Sequence, residues 1–278
     1  MTPSCTDEIV SSDLRKQLMS GLGLAPAAAN VIMQLSRLPI GHGVIESTVE
    51  SGSLFEHPIK RTRTTLGYTM IALFGTEPER TSMRRAVNRQ HRYVHSTSDS
   101  RGEYNAFDPE LQLWVAACMY RGFVDSLTFL YGPPTTETLD ALYRHSSRFA
   151  TTLQMAESLW PADRTAFDVY WEASLHHVAM DETTRGYLYG IASLEFLPAP
   201  LRWIFGPPYR FITTGFLPTR FCEELGLPWS SRRQHCFDVF TACVAVINRS
   251  LPRPLREFPW NVVLRDTRRR IGEASSIV

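Results

Sequence analysis

The fold is decided by one stretch, DPELQLWVAACMYRGFVDSLTFLYGPP, at residues 108–134. Asp108 is a favoured N-cap residue, Pro109 suits the first helical turn, and the Gly-Pro-Pro at the end stops a helix. Arg121 and Asp125 interrupt the apolar run and are four residues apart, so they can pair on one helix face. The stretch therefore predicts a long buried helix of a globular protein and not a membrane span.

The rest of the chain also has helical periodicity, with few alternating runs and no internal repeat. Residues 1–25 are polar and predict a loose tail or a short helix, and residues 40–58 hold a turn or two at most. The Pro- and Gly-rich residues 196–218 predict a connection with short helical pieces. We expect an all-α fold with one domain over residues 26–278. The other predicted helices are 26–37, 60–74, 76–96, 136–153, 162–178, 181–194, 218–225, 230–248 and 264–271.

The composition excludes a disordered chain and a protein whose overall charge attracts nucleic acid or an anionic membrane. The 278 residues are 44% hydrophobic and 11% aromatic, which is typical of a globular chain with a substantial core. The net charge is only +1, so no overall field attracts nucleic acid or an anionic membrane.

The cysteines and the N-terminus bear on the cellular compartment. The five cysteines form no C-x-x-C pair, and an odd number does not suit a disulfide framework. The N-terminus lacks the basic and apolar regions of a signal peptide. We therefore expect a cytoplasmic protein.

His91 is the most informative single residue. Thr76 and Glu79 predict a capping box at the start of the helix over residues 76–96. Met83, Val87 and His91 follow at intervals of four, so the imidazole lies on an otherwise apolar face. A buried neutral imidazole needs partners for its ring nitrogens. A backbone carbonyl in the core and a metal ion are both possible partners.

A second pair of polar residues begins the preceding helix. Arg61 and Thr65 are four residues apart, so they share a helix face, and the apolar part of the helix follows them in the sequence. A guanidinium and a hydroxyl so placed can bind a carboxylate or a bound oxygen species. The alternative is a solvated Arg61 and a Thr65 hydroxyl bonded to its own helix.

The order of short motifs along the chain resembles the MpaB and latex-clearing-protein family of haem-dependent oxygenases. The resemblance extends over residues 31–270. The motifs, in order, are G-V-I-E at 43–46, H-P at 57–58, R-x-x-x-T at 61–65, F-G at 74–75, H-x-x-V at 91–94, Y-x-A-x-D-P at 104–109, W-V at 114–115, L-P-T-R-F-C-E-E-L-G-L-P-W at 217–229 and L-P-R-x-L-R at 251–256.

This resemblance implies a globin-like helical core that holds haem b. His91 matches the proximal iron ligand, and Arg61 and Thr65 match residues of the haem pocket. Rubber-cleaving members have a lysine directly before the threonine, where this chain has Thr64, and Lys60 is one turn away. Distal capping of the iron by lysine is therefore not expected.

Two further site residues follow from the resemblance. Glu46 lies near the position of a catalytic acid, and a carboxylate in an apolar pocket would have a raised pKa suited to proton transfer. His95 occupies a position where members have glycine, so it is a rival iron ligand. The implied reaction is oxidation of a hydrophobic or natural-product-like small molecule with O2. The alternative is a non-catalytic helical binding protein without haem.

Two other motifs suggest different chemistry. The string His176-His177-x-x-x-Asp181 matches the H-H-x-x-x-D motif of acyl-transferring condensation enzymes, but those are longer α/β proteins. We interpret these residues as a helix end and the cap of the next helix. Glu172 and His176 could form half of a di-iron site, but the second Glu-x-x-His is missing.

Overall fold

The chain folds into α-helices packed around one core. A computed structural model describes residues 11–49, 53–273 and 275–277. In these ranges the only β-type pairing is a single bridge between His95 and Asn105, so the predicted all-α fold is confirmed. The α-helices are α1 (Ser12–Leu18), α2 (Ala27–Leu35), α3 (Leu38–Ile45), α4 (Pro58–Phe74), α5 (Glu77–His91), α6 (Pro109–Tyr131), α7 (Thr136–Ser146), α8 (Arg148–Thr151), α9 (Arg164–Leu175), α10 (Glu182–Ala192), α11 (Ala199–Phe216), α12 (Thr219–Leu225), α13 (Ser231–Ser250), α14 (Arg253–Arg256) and α15 (Trp260–Gly272).

Helix ends follow the capping signals of the sequence. The Asp108 carboxylate accepts hydrogen bonds from the backbone N–H groups of Glu110 (2.8 Å) and Leu111 (3.3 Å) at the start of α6. Gly132 ends α6 with φ = 88°, a left-handed conformation that favours glycine. At the start of α5, Thr76 and Glu79 form the predicted capping box. These caps satisfy backbone groups that a helix end leaves without partners.

The core is built around α6, which contacts α2, α7, α8 and α13. Trp114 on α6 is fully buried, and its indole N–H donates to the backbone oxygen of Met33 at 3.1 Å. Its ring stacks on Trp171 of α9 with 5.2 Å between centroids. A buried tryptophan with a satisfied N–H fixes α2 and α9 against α6.

The expected pairing of Arg121 with Asp125 is wrong. No ion pair joins these side chains in the described structure; the Arg121 guanidinium lies over the Trp171 ring, 5.3 Å from its centroid. Burial raises the pKa of Asp125 to about 6, and the Arg121 charge opposes that shift only in part. The helix is nevertheless a core helix, as expected.

Three predicted segments differ from the structure. The helix predicted over 76–96 ends at His91, because residues 92–96 turn to form the bridge at His95. The helix predicted over 136–153 is divided at Ser147 into α7 and α8.

The third difference is the predicted connection over residues 196–218, which is the continuous helix α11 with Pro207 and Pro208 inside it. Proline removes a helical hydrogen bond, so tertiary packing must stabilise this segment. Arg210 donates to the Tyr189 hydroxyl (2.9 Å) and to Ser193 Oγ (3.1 Å), which ties α11 to α10.

The N-terminal segment belongs to the packed domain from residue 12 onward. Leu14 and Leu18 of α1 are buried in the core. Of the two predictions for residues 1–25, a loose tail or a short helix, the short helix is therefore found in this segment. The helical domain therefore begins before residue 26. Residues 1–10 lie outside the described ranges.

The described helices were also compared with the length and hydropathy that a membrane span requires. Taken singly, none of them meets both requirements. One bent pair, Ser12–Leu18 with Gly21–Leu35 at 53° to each other, meets them together on length and composition alone.

Candidate functional site

A cavity of about 370 Å³ lies between α2, α3, α4, α5 and α6. This volume is within the range of small-molecule sites, roughly 300–1,000 Å³. Its walls are mainly apolar, and Val115, Met119 and Phe123 of α6 supply much of one side. The cavity wall on α6 extends from Leu111 to Ser126, so the cavity is elongated by about 22 Å along that helix at 1.5 Å per residue.

His91 lines this cavity at the C-terminal end of α5. Its Nδ1 is enclosed by protein and has no hydrogen-bond partner among the described residues. Burial, and then the positive charge of Arg61, lower the pKa of His91 to about 4. The imidazole is therefore neutral at physiological pH, and Nε2 is the ring nitrogen left to face the cavity. In the described part of the chain, no backbone carbonyl accepts a hydrogen bond from this ring.

Arg61 lines the same cavity from the first turns of α4. Within the described residues it has no ion pair and no hydrogen bond, and burial lowers the pKa of its guanidinium despite the opposing effect of Tyr187. A desolvated cation without a counter-ion is costly, so this position is suited to an anionic group of a ligand.

Hydroxyl groups of α4 continue this polar side of the cavity. Thr64 and Thr65 both line the wall, one turn beyond Arg61. Tyr68 lies further along, and its hydroxyl donates to the backbone oxygen of Phe149. Lys60 is not a lining residue. The cavity wall therefore contains Arg61 together with Thr64 and Thr65 of the next turn, as the spacing of Arg61 and Thr65 predicts.

Glu46 lies outside the wall of the cavity. Its carboxylate accepts hydrogen bonds from the Tyr104 hydroxyl (3.2 Å) and the Arg101 backbone N–H (3.2 Å), and the Arg101 guanidinium is 3.7 Å away. This environment is not the apolar pocket that we expected. Tyr104 lines the cavity, so its side chain links Glu46 to the cavity wall.

The other histidines singled out in the sequence lie away from the cavity. His95 is exposed, with its Nδ1 3.2 Å from the backbone oxygen of Ser96, and it does not line the cavity. His176 and His177 are exposed after α9. Asp181 caps α10, as we interpreted, and also accepts a 2.7 Å hydrogen bond from His42 Nε2.

Sequence reasoning missed the opposite wall of the cavity. Asn30 and Gln34 on α2 line it together with apolar neighbours, and Gln34 Nε2 donates to Asn30 Oδ1 at 2.7 Å. On α6 the lining positions recur at helical spacing through Val115, Met119 and Gly122. That periodicity is visible in the sequence, but it does not distinguish a face against a cavity from a face against the core.

The sequence of this chain matches one known protein family. A family model described as "ER-bound oxygenase mpaB/B'/Rubber oxygenase, catalytic domain" matches residues 15–246. The chain belongs to this family of oxygenase catalytic domains. The motif at residues 251–256 lies beyond the matched region.

Two curated relatives are similar over nearly their whole length. They are the uncharacterized protein Rv2237 of Mycobacterium tuberculosis and the uncharacterized protein Mb2261 of Mycobacterium bovis. Each is 47% identical over 251 residues, which cover 90% of this chain and 98% of the relative. No solved structure matches the chain significantly.

Proposed function

We propose that the cavity binds haem b with His91 as the proximal iron ligand, and that the protein oxidises a hydrophobic small molecule with O2. The observation that carries this proposal is His91 itself. A neutral ring with an unpartnered nitrogen, held at a helix end in the wall of an apolar cavity, has the state that iron ligation requires.

The other residues of the cavity fit a porphyrin. The described residues contain no group of three or more His, Cys, Asp or Glu that could hold a metal ion. Iron at His91 therefore needs further ligands from outside the protein, and porphyrin nitrogens supply them. The apolar walls suit the flat ring, and the unpaired guanidinium of Arg61 suits a propionate.

Each cavity residue has a defined role in this proposal. His91 donates a ring nitrogen and stays unprotonated because its pKa is about 4. Arg61 would hold a haem propionate through its guanidinium, and Thr65 would offer a hydroxyl on the same helix face. Apolar residues of α6 exclude water from the substrate. Haem, when bound with an open position, supplies the activation of O2.

Proton transfer is assigned to Glu46 through Tyr104. The Tyr104 hydroxyl donates to the carboxylate at 3.2 Å, and the Tyr104 ring forms part of the wall. A phenol both donates and accepts, so Glu46 would exchange a proton with a group in the cavity that hydrogen-bonds the Tyr104 hydroxyl. Glu46 thereby acts from outside the cavity.

The experiment is reconstitution of the purified protein with haemin. We expect a Soret band, a marked spectral change when the reduced protein takes up carbon monoxide, and O2 uptake with apolar substrates. A protein that takes up no haem is instead a haem-free binding protein. A haem with both axial positions filled and no response to carbon monoxide would rule out the oxygenase. The cytoplasmic location stays a prediction, which cell fractionation tests.

A further inference from the structure

Helix α13 carries an apolar stripe that the described structure leaves uncovered. The stripe consists of Cys236, Val239, Cys243 and Val246 and ends at the polar Ser250. These residues are spaced alternately by three and four, and every one of the side chains is exposed. Alternating intervals of three and four are the heptad pattern of a helix that packs against another helix. The opposite side of α13, with Phe237 and Ala245, is buried against the protein.

The neighbouring helix α11 packs against the buried side of α13. Phe211 and Phe216 near its C-terminal end contact the Phe237 ring of α13, at 6.2 and 4.9 Å between centroids. A Cβ on Gly215 would lie only 2.3 Å from that ring, so the helices approach closely. The N-terminal half of α11 is uncovered, and Ile204 is 65% exposed.

We define the apolar face as the exposed side chains Val239, Cys243, Val246 and Ile247 of α13. A partner helix that covers this face removes its apolar surface from water.

The charges beside the stripe identify the occupant. Asp238 and Arg249 lie on the same flank of α13, three turns apart, and Arg249 has no ion-pair partner among the described residues. If a second α13 packs antiparallel on the stripe, Asp238 lies opposite Arg249 of the partner subunit, and the reverse pair forms by symmetry.

We propose that the apolar face is a homodimer interface, in which α13 packs antiparallel on α13 of a second copy about a two-fold axis. Cys243 is the middle residue of the stripe, so the two copies of Cys243 lie close to the axis. Two copies related in this way bury both stripes and pair both sets of charges.

Sedimentation equilibrium of the purified full-length chain tests the interface. We expect a wild-type mass twice the 31.6 kDa of one chain. Val246→Glu places a carboxylate in the face twice per dimer, which raises the dissociation constant by about 100-fold. Val169→Glu is the matched control because Val169 is 69% exposed on α9, and it leaves the dimer intact. A wild-type protein that stays monomeric overturns the proposal, as does equal disruption by both variants.

Charge reversal and crosslinking test the antiparallel register. Asp238→Arg and Arg249→Asp should each weaken the dimer, and the double variant should restore it. In a background with Cys5→Ser and Cys236→Ser, a short bismaleimide should join two chains, and Cys243→Ser should abolish that product. No restoration by the double variant, or crosslinking independent of Cys243, contradicts this register. A monomer that instead binds phosphatidylglycerol vesicles through Val246 would identify a membrane-docking face and overturn the dimer.

Discussion

Arg61→Met should change the stability of the apoprotein and its affinity for haem in opposite directions. The substitution removes a desolvated cation that has no counter-ion among the described residues and leaves an apolar chain of similar length. Removal of an uncompensated buried charge should raise the free energy of unfolding of the apoprotein by about 1–3 kcal/mol. Loss of one charge-assisted contact should weaken haem binding by about 1.5–3 kcal/mol, or roughly 10- to 150-fold.

Urea denaturation of the apoprotein and titration with haemin measure the two effects. Arg80→Met is the matched control, because Arg80 is buried but paired: it donates to the Gly75 backbone oxygen at 3.1 Å and binds Glu77. That variant should lose stability, since it leaves polar partners unsatisfied. If Arg61→Met destabilises the apoprotein as Arg80→Met does, Arg61 has a structural role and our reasoning about the cavity fails.

Three further predictions follow from the cavity and the core. Val115→Phe adds about 50 Å³ to the cavity wall, so it should stabilise the apoprotein by roughly 1 kcal/mol in thermal unfolding while blocking haem uptake; a loss of stability would show that the space is not available. The pKa of Asp125, about 6 against an ordinary 3.8, means that folded-state stability is lost as pH rises from 3.8 to 6. Asp125→Asn should therefore stabilise the protein by up to about 3 kcal/mol at pH 7.5 and hardly at all at pH 3.5, and an equal gain at both would contradict the shift. Glu46→Gln keeps an acceptor for Tyr104, so haem affinity should be unchanged while turnover falls by about 10- to 100-fold; a variant with full turnover would remove Glu46 from the mechanism.

Capping chemistry and periodicity predict most of the helices. Asp108 and Thr76 each cap a helix with the expected side-chain bonds, because such caps depend only on residues within one turn. The same local logic places His91 and Arg61 on inward faces of consecutive helices. That both line one cavity depends on how α4 and α5 pack, which sequence spacing does not specify.

The predictions that were wrong depend on contacts between residues that are distant in the sequence. Pro207 and Pro208 predict a break, but contacts of α11 with α10 stabilise a continuous helix. Arg121 stacks on Trp171 from another helix in preference to Asp125 four residues away. Glu46 meets Arg101 and Tyr104, which are more than fifty residues distant in sequence. Each outcome depends on a partner that no local pattern identifies.

The most direct test of the central claim is the absorption spectrum of the haem-reconstituted His91→Gly variant, with and without added imidazole. The ring of His91 lines the cavity with an unpartnered nitrogen, so its removal leaves space in which free imidazole can bind iron. We predict that His91→Gly loses the wild-type Soret band, that imidazole restores it, and that His95→Gly retains it. A wild-type Soret band in His91→Gly without imidazole, or its loss in His95→Gly, would contradict the account.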